Sequence, residues 1–232
     1  MKRSIDKREI WIDYIPMLLT AVLIVYFAII REQSFIKTLP TLITLVVQLL
    51  LVHANRFAFL LGGTNALLYG ISYYSEGLYF SLISALLISA PLQFFSYFNW
   101  KKHTNKSGSE LKRLRLPQLA VILVLILASW LGCSIGLADL FQNGSYPLLD
   151  ALSFVLGTVV TILAAFRFIE SQYLNILGCS ISLILWILLT IRSPENFNYT
   201  IISAYNLFRI IEASIRWTLQ YRRQNRMKAS LS

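Results

Sequence analysis

Apolar runs long enough to form a membrane-crossing helix recur from one end of the chain to the other, separated by short polar stretches. A spanning helix needs about 20 consecutive, mostly apolar residues. Segments at about 10–30, 36–53, 57–74, 78–99, 117–138, 150–168, 173–191 and 197–218 meet that measure. They predict an all-α integral membrane protein of about eight transmembrane helices, a single membrane domain over residues 1–232. The first segment starts polar and lacks a small-residue cleavage site, which favours a retained helix over a removable signal peptide.

Two stretches of this pattern read as copies of one three-helix unit, about 36–100 and 150–221, with a linker helix at 117–138 between them. A basic residue closes the first helix of each, Arg56 and Arg167. A Leu-Gly motif follows, LLGG at 60–63 and ILGC at 176–179. Tyr79 or Tyr199 opens the third helix, Ile-Ser-Ala follows at 83–85 or 202–204, and Trp100 or Trp217 closes it. The second copy starts four helices after the first, so both enter the membrane in the same direction. Parallel repeats of this kind occur in transporters whose substrate sits near the midplane between the copies. The pattern therefore predicts a transporter of three-plus-one-plus-three helices with one extra helix at the N-terminus.

Composition narrows the class. Hydrophobic residues make up 56% of the 232, and charged residues only 14%, against roughly 25% in a soluble domain. That excludes a soluble enzyme, a disordered protein and a disulfide-stapled secreted domain. The formal net charge is +10, and its meaning lies in its distribution. With eight spans, one side would hold Lys2, Arg3, Lys7, Arg8, Arg56, Lys101, Lys102, Lys106, Lys112, Arg113, Arg115, Arg167, Arg222, Arg223, Arg226 and Lys228. The other would hold Arg31, Lys37 and Arg192, with Arg209 and Arg216 in the last span. Such asymmetry places both termini in the cytoplasm, so the basic charge is a topology signal and no nucleic-acid partner is expected. Cys133 and Cys179 fall in different spans and read as small packing residues. His53 and His103 stand apart without metal-ligand spacing, so neither metal nor cofactor is expected. Asn143-Gly-Ser and Asn198-Tyr-Thr match the glycosylation acceptor triplet.

Polar side chains at membrane depth are the candidate chemistry, because an Asp or Arg at a helix centre costs roughly 2.5–3.5 kcal/mol on insertion scales. Asn65 and Tyr69 share a helix face at i,i+4 spacing. Gln93, Tyr97 and Trp100 form one stripe, as do Gln172, Asn175 and Cys179. Tyr205, Asn206, Arg209 and Glu212 lie in the last span, where Arg209 and Glu212 can form an internal ion pair. The functional reading is a site of amides that bond to a sugar or base and aromatic faces that stack on it. The competing reading is hydrogen-bonded glue between helices, with the two terminal Trp residues as interface anchors. Pro91, inside the fourth span, should kink that helix or free a carbonyl one turn earlier.

The runs GGTNALLYGISYYSEGLYFSLISALL, QFFSYFNW and LLDALSFVLGTVVTILAAFRFIES resemble the PnuC family of bacterial vitamin transporters over about residues 36–221. Gly62, Asn65, Tyr69-Gly70, Leu78-Tyr79 and Trp100 match the first-repeat pattern, and Asp150 and Glu170 the second. The resemblance implies a SWEET-like arrangement, a homo-oligomer (a trimer in that family), and residence in the bacterial plasma membrane. It further implies facilitated diffusion of nicotinamide riboside or a related vitamin, with trapping by phosphorylation inside the cell. This chain departs from the pattern at Ser96 and Tyr97, where Gly-Trp is expected, and at Gln172, Asn175 and Cys179, where two Trp and an Asn or Asp are usual. Fewer indoles and more amides weaken stacking on a cationic ring and favour a hydrogen-bonding one, which keeps (deoxy)nucleosides, thiamine and riboflavin open as cargo. Asn65, Tyr69, Gln93, Tyr97, Trp100, Asn175 and Asn206 are the expected substrate-binding residues. No H-E-x-x-H, G-x-S-x-G or G-x-x-x-x-G-K-[ST] motif occurs, so an enzyme is not expected. The rivals from another class are a membrane scaffold or receptor subunit and an intramembrane enzyme.

Overall fold

A computed structural model describes residues 7–105, 108–136 and 144–229. Expectations resting on Lys2, Arg3, Lys106 and Asn143, and on the side chains of Lys7, Arg8 and Lys228, lie outside what it describes. Its long helices are α1 (Lys7–Ile30), α2 (Phe35–Val52), α3 (Phe57–Ser75) and α4 (Tyr79–Lys102) in the first half. In the second half they are α5 (Leu116–Gly136), α6 (Pro147–Ala165), α7 (Glu170–Arg192) and α8 (Phe197–Ala229).

Among the described residues, six helices are long and apolar enough to cross a membrane: α1, α2, α4, α5, α6 and α7. The sequence pattern predicts about eight; α3 and α8 fall short of that measure. The reason is physical: α3 carries a run of Gly, Thr, Asn, Ser and Tyr, and α8 carries Arg209, Glu212, Arg216 and a basic tail. Both are central, α3 against α2 and α4, α8 against α7, α2 and α1. Helices screened from lipid by neighbours can keep polar groups that outer helices cannot.

Local chemistry explains the helix shapes. In α2, Ser34 caps the N-terminus by accepting from the Lys37 N–H, and the hydroxyls of Thr38, Thr41 and Thr44 donate back to carbonyls one turn earlier. These bonds satisfy hydroxyls buried between the helices. In α4, the proline expected to kink the helix is accommodated by a π-helical turn over Ser84–Ser89, closed by the Ala90 N–H on the Ala85 carbonyl. The extra residue in that turn offsets the register that Pro91 cannot support. Helix α2 ends where Ala54 turns left-handed at φ 50°, and α6 ends where Arg167 does the same at φ 69°.

The pairing of helices repeats across the molecule. Helix α2 packs on α3 as α6 does on α7, and α3 on α4 as α7 does on α8. The halves meet where α2 touches α8 and where α4 touches α6. Helix α5 packs chiefly on α6, with most of its side chains exposed. Helix α1 lies against α8 and α2 and is pinned by a charge cluster. Its centre is the buried Asp13, 2.7 Å from Arg216 and 3.5 Å from Arg209. Glu212 completes the set at 2.6 Å from Arg209 and 2.5 Å from Arg216, so the expected Arg209–Glu212 pair forms within a larger network. His53 is not isolated: its Nε2 lies 3.1 Å from Asp13 and 3.0 Å from Arg216.

The two ends differ in chemistry. One end gathers exposed bases, among them Lys101, Lys102, Lys112, Arg113, Arg115, Arg222, Arg223 and Arg226. The segment between α4 and α5 folds across this basic end, starting with a two-residue ladder that pairs Thr104 with Ser109. Gln220 and Gln224 of α8 both donate to the Ser109 carbonyl, and Glu170 accepts from the Leu114 N–H. At the opposite end, Lys37 pairs with Glu76 at 3.2 Å and Asn196 donates to Glu76. Asp150 there accepts from the backbone of Phe80 and Ser81 and the Ser81 hydroxyl, tying α6 to the start of α4. The Asn198 acceptor triplet is closed to modification, because Asn198 is buried and donates to Ile24 and Gln33.

Candidate functional site

Two cavities lie in line between the halves. The one nearer the opposite end encloses about 340 Å³ and is walled by α2, α3, α4, α6, α7 and α8. Tyr73, Phe154 and Trp186 give it aromatic faces, and Ser81, Ser84, Ser89, Ser153 and Ser182 give it hydroxyls. The second, nearer the basic end, encloses about 280 Å³, with Thr44, Phe59, Asn65, Tyr69, Thr161 and Gln172 in its wall. Gln48, Ala66, Gln93, Gly157 and Asn175 line both, so they form a neck where the cavities meet. None of the residues lining either cavity carries a formal charge.

The neck amides are set apart by their hydrogen bonding. Elsewhere amides are tied down: Asn99 donates to the Ala165 carbonyl, Asn196 to Glu76, Asn198 to Ile24 and Gln224 to Ser109. Gln48, Gln93 and Asn206 make no such bond among the described residues, and Asn175 accepts only a long contact of 3.7 Å from the Cys179 thiol. Buried polar groups in folded proteins are overwhelmingly paired, and exceptions call for a reason. Here Gln48, Gln93, Asn175 and Asn206 converge on the space between the halves.

The structure brings some of the expected site residues together and separates others. Gln93 and Asn175 stand in the neck, and Asn206 lines the larger cavity. Asn65 and Tyr69 line the smaller one, but both also hold α2: Asn65 Nδ2 donates to Thr44 at 2.8 Å and to the Pro40 carbonyl at 3.1 Å. The Tyr69 hydroxyl lies 3.2 Å from Thr44 Oγ1. Tyr97 and Trp100 line neither cavity. Trp100 is fully buried beneath the smaller cavity, where its indole donates to the Ala164 carbonyl at 2.8 Å and its ring meets Phe59 and Trp217. Trp217 mirrors it, donating to the Leu51 carbonyl at 3.0 Å. Leu111, from the segment crossing the basic end, packs into this cluster, and Tyr97 flanks it. The cluster is an apolar layer at the basic end.

Sequence reasoning passed over Gln48, Tyr73 and Trp186. Gln48 is the single amide in the apolar stretch TLVVQLLLV, and Trp186 is an indole six residues inside the end of α7. Both are signals: the first costs free energy in lipid, and the second is misplaced for an interfacial anchor. No cluster of His, Cys, Asp and Glu able to hold a metal ion occurs among the described residues.

An all-α membrane fold with paired polar cavities between two helix groups defines the class, a multi-pass membrane transporter. The chain belongs to the nicotinamide mononucleotide transporter family, whose model matches residues 34–218. It is similar to the nicotinamide riboside transporter PnuC of Neisseria mucosa, with 28% identity over 141 residues, 59% of this chain and 54% of that one. The match thus spans about half the length of that relative. In fold it is similar to a crystal structure described as the vitamin B3 transporter PnuC, with a TM-score of 0.77 and 20% identity over 91% of this chain and 92% of that one. That likeness bears out the all-α membrane fold, and membership in a transporter family accords with a non-enzymatic role.

Proposed function

We propose that this chain carries a small nucleoside-like vitamin, nicotinamide riboside first, across the bacterial plasma membrane by facilitated diffusion. The observation that carries this is the neck: Gln48, Gln93 and Asn175 meet between two cavities with their amides unpaired or nearly so. Amides supply both donors and acceptors, suiting ribose hydroxyls and a carboxamide, while Tyr73 and Trp186 offer flat faces to a ring. A phosphorylated nucleotide finds no basic side chain in either wall. Asn65, Tyr69, Tyr97 and Trp100 act through the helices they hold, and Gln48, Gln93, Asn175 and Asn206 through contact with the solute.

Movement follows from two parallel copies, about 36–100 and 150–221, joined by the 117–138 helix and preceded by α1. The mirrored indole bonds, Trp100 to Ala164 and Trp217 to Leu51, support that symmetry. With the basic end closed by the Trp layer, the solute would enter from the opposite side. Rocking of one copy against the other would then part Trp100 from Trp217. The exposed bases at one end support cytoplasmic termini. The largely exposed apolar surface of α5 supports either lipid contact or a homo-oligomeric, trimeric seam.

A second reading, a neutral (deoxy)nucleoside as cargo, is favoured by the uncharged walls and by amides at Gln172 and Asn175. Proteoliposomes holding the purified chain should take up labelled nicotinamide riboside without ATP or an ion gradient. Uptake of uridine or thymidine in its place would favour the second reading. Flux of none of these solutes, with thiamine and riboflavin also tried, would reject transport of this class.

A further inference from the structure

The amide of Gln93 occupies space that exists only because residue 62 lacks a side chain. A Cβ built on Gly62 would fall on Gln93 Oε1 and within 3.2 Å of Gln93 Cδ. Gln93 makes no hydrogen bond to another described residue, so packing against α3 is what keeps its amide in place. The adjacent Gly63 serves a different neighbour: a Cβ there would crowd the Phe94 ring, its nearest atom at 3.0 Å, and Phe94 lines neither cavity. Adjacent glycines on α3 thus admit adjacent side chains of α4, one facing the passage and one facing away from it.

We propose that Gly62 is a positioning residue that seats the Gln93 amide against the α3 wall of the neck, and that Gln93 so seated sets the width and solute preference of the passage. A methyl group at residue 62 drives the amide off the wall, and the free space beside it is the neck shared by both cavities. The proposal rests on the transport reading above, so its test needs one readout that does not depend on knowing the cargo. Cys179 supplies it, since its thiol lines the larger cavity beside Asn175. Cys133, on the largely exposed α5, lines neither cavity and can be removed as Cys133→Ser.

In that background, the full chain and its Gly62→Ala, Gln93→Ala and double variants are reconstituted. Initial uptake of nicotinamide riboside and uridine is measured across concentrations, together with alkylation of Cys179 by N-ethylmaleimide. Gly62→Ala is expected to raise the half-saturation concentration about tenfold where Gln93 is present. With Gln93→Ala already in place it should change by less than about twofold, because the group it displaces is gone. The alkylation rate should show the same dependence, changing at least about threefold with Gln93 present and little without it. Gly63→Ala should show no such coupling. Gln93→Asn, one methylene shorter, should restore at least about half of the uptake lost in Gly62→Ala, and should also restore folding if that variant misfolds. Equal effects of Gly62→Ala in both backgrounds, no effect with Gln93 present, or a misfolded Gly62→Ala that Gln93→Asn leaves unrestored would each overturn the proposal. If the parent protein carries no solute, the transport reading fails while the alkylation rates still decide the role of Gly62.

Discussion

The apolar layer at the basic end and the neck above it both hold polar groups inside the helix bundle, but treat them differently. In the layer, both indole N–H groups have carbonyl partners, the rings touch at 5.3 Å between centroids, and Leu111 fills the space beside them. In the neck, a few residues away along the same helices, Gln48 and Gln93 have no partner. A satisfied polar group holds a structure together, whereas an unsatisfied one in a cavity awaits something else. Burial alone does not separate site from scaffold in this fold. Pairing does.

The layer should therefore break first and hardest. Trp217→Ala removes a fully buried ring and one of the donors to the Leu51 carbonyl, and large aromatic truncations cost about 3–5 kcal/mol. Thermal unfolding in detergent should show the largest drop of any single variant considered, and one within a degree or two of the parent would reject the layer as a structural seal. Asn175→Ala should do the opposite: uptake falls about tenfold, equivalent to about 1.4 kcal/mol, while the melting temperature holds. A fall in stability instead would make Asn175 interhelical glue. Asn65 belongs with the layer despite its place in a cavity wall. Its two bonds to α2 predict that Asn65→Ala loses about 1 kcal/mol of stability and leaves most of the uptake. Uptake lost without a shift in melting would move Asn65 into the site.

How far these assignments were legible follows from the same contrast. The spans and the amides within them stand out because lipid penalises polar groups, which is a property of residue type and spacing. That is why Gln93, Asn175 and Asn206 can be picked from the chain alone. What each amide bonds to is decided by residues far away in sequence. Asn65 reads like Asn175 until Thr44 is seen beside it. Trp100 at a helix end reads as a ligand contact or an interface anchor. Its partner, the carbonyl of Ala164, lies 64 residues on and leaves no mark at Trp100 itself. Asp13 looks like a polar flank of an apolar helix; only the fold places it between Arg209 and Arg216. Proline chemistry predicts a disturbance of the helix at Pro91, but its accommodation by a π turn that contributes Ser84 and Ser89 to the larger cavity leaves no mark in the sequence.

The smallest expected effect is the most telling about where the site ends. Tyr97 continues the helical stripe of Gln93 and Trp100, so sequence spacing assigns it to the solute. The structure places its ring on the flank of the apolar layer, 5.6 Å from the Phe57 ring and 5.7 Å from the Arg56 guanidinium, outside both cavities. Those contacts use the ring, and its hydroxyl has no partner among the described residues. Tyr97→Phe keeps the ring and its cation–π contact, itself worth only about 0.5–1 kcal/mol at an exposed site. Both melting temperature and uptake should stay within error of the parent. A loss of uptake with unchanged stability would mean that the hydroxyl meets the solute once the Trp layer parts. The passage would then extend through the basic end along the Tyr97 face of α4, and the contrast between layer and neck would hold only for the closed state.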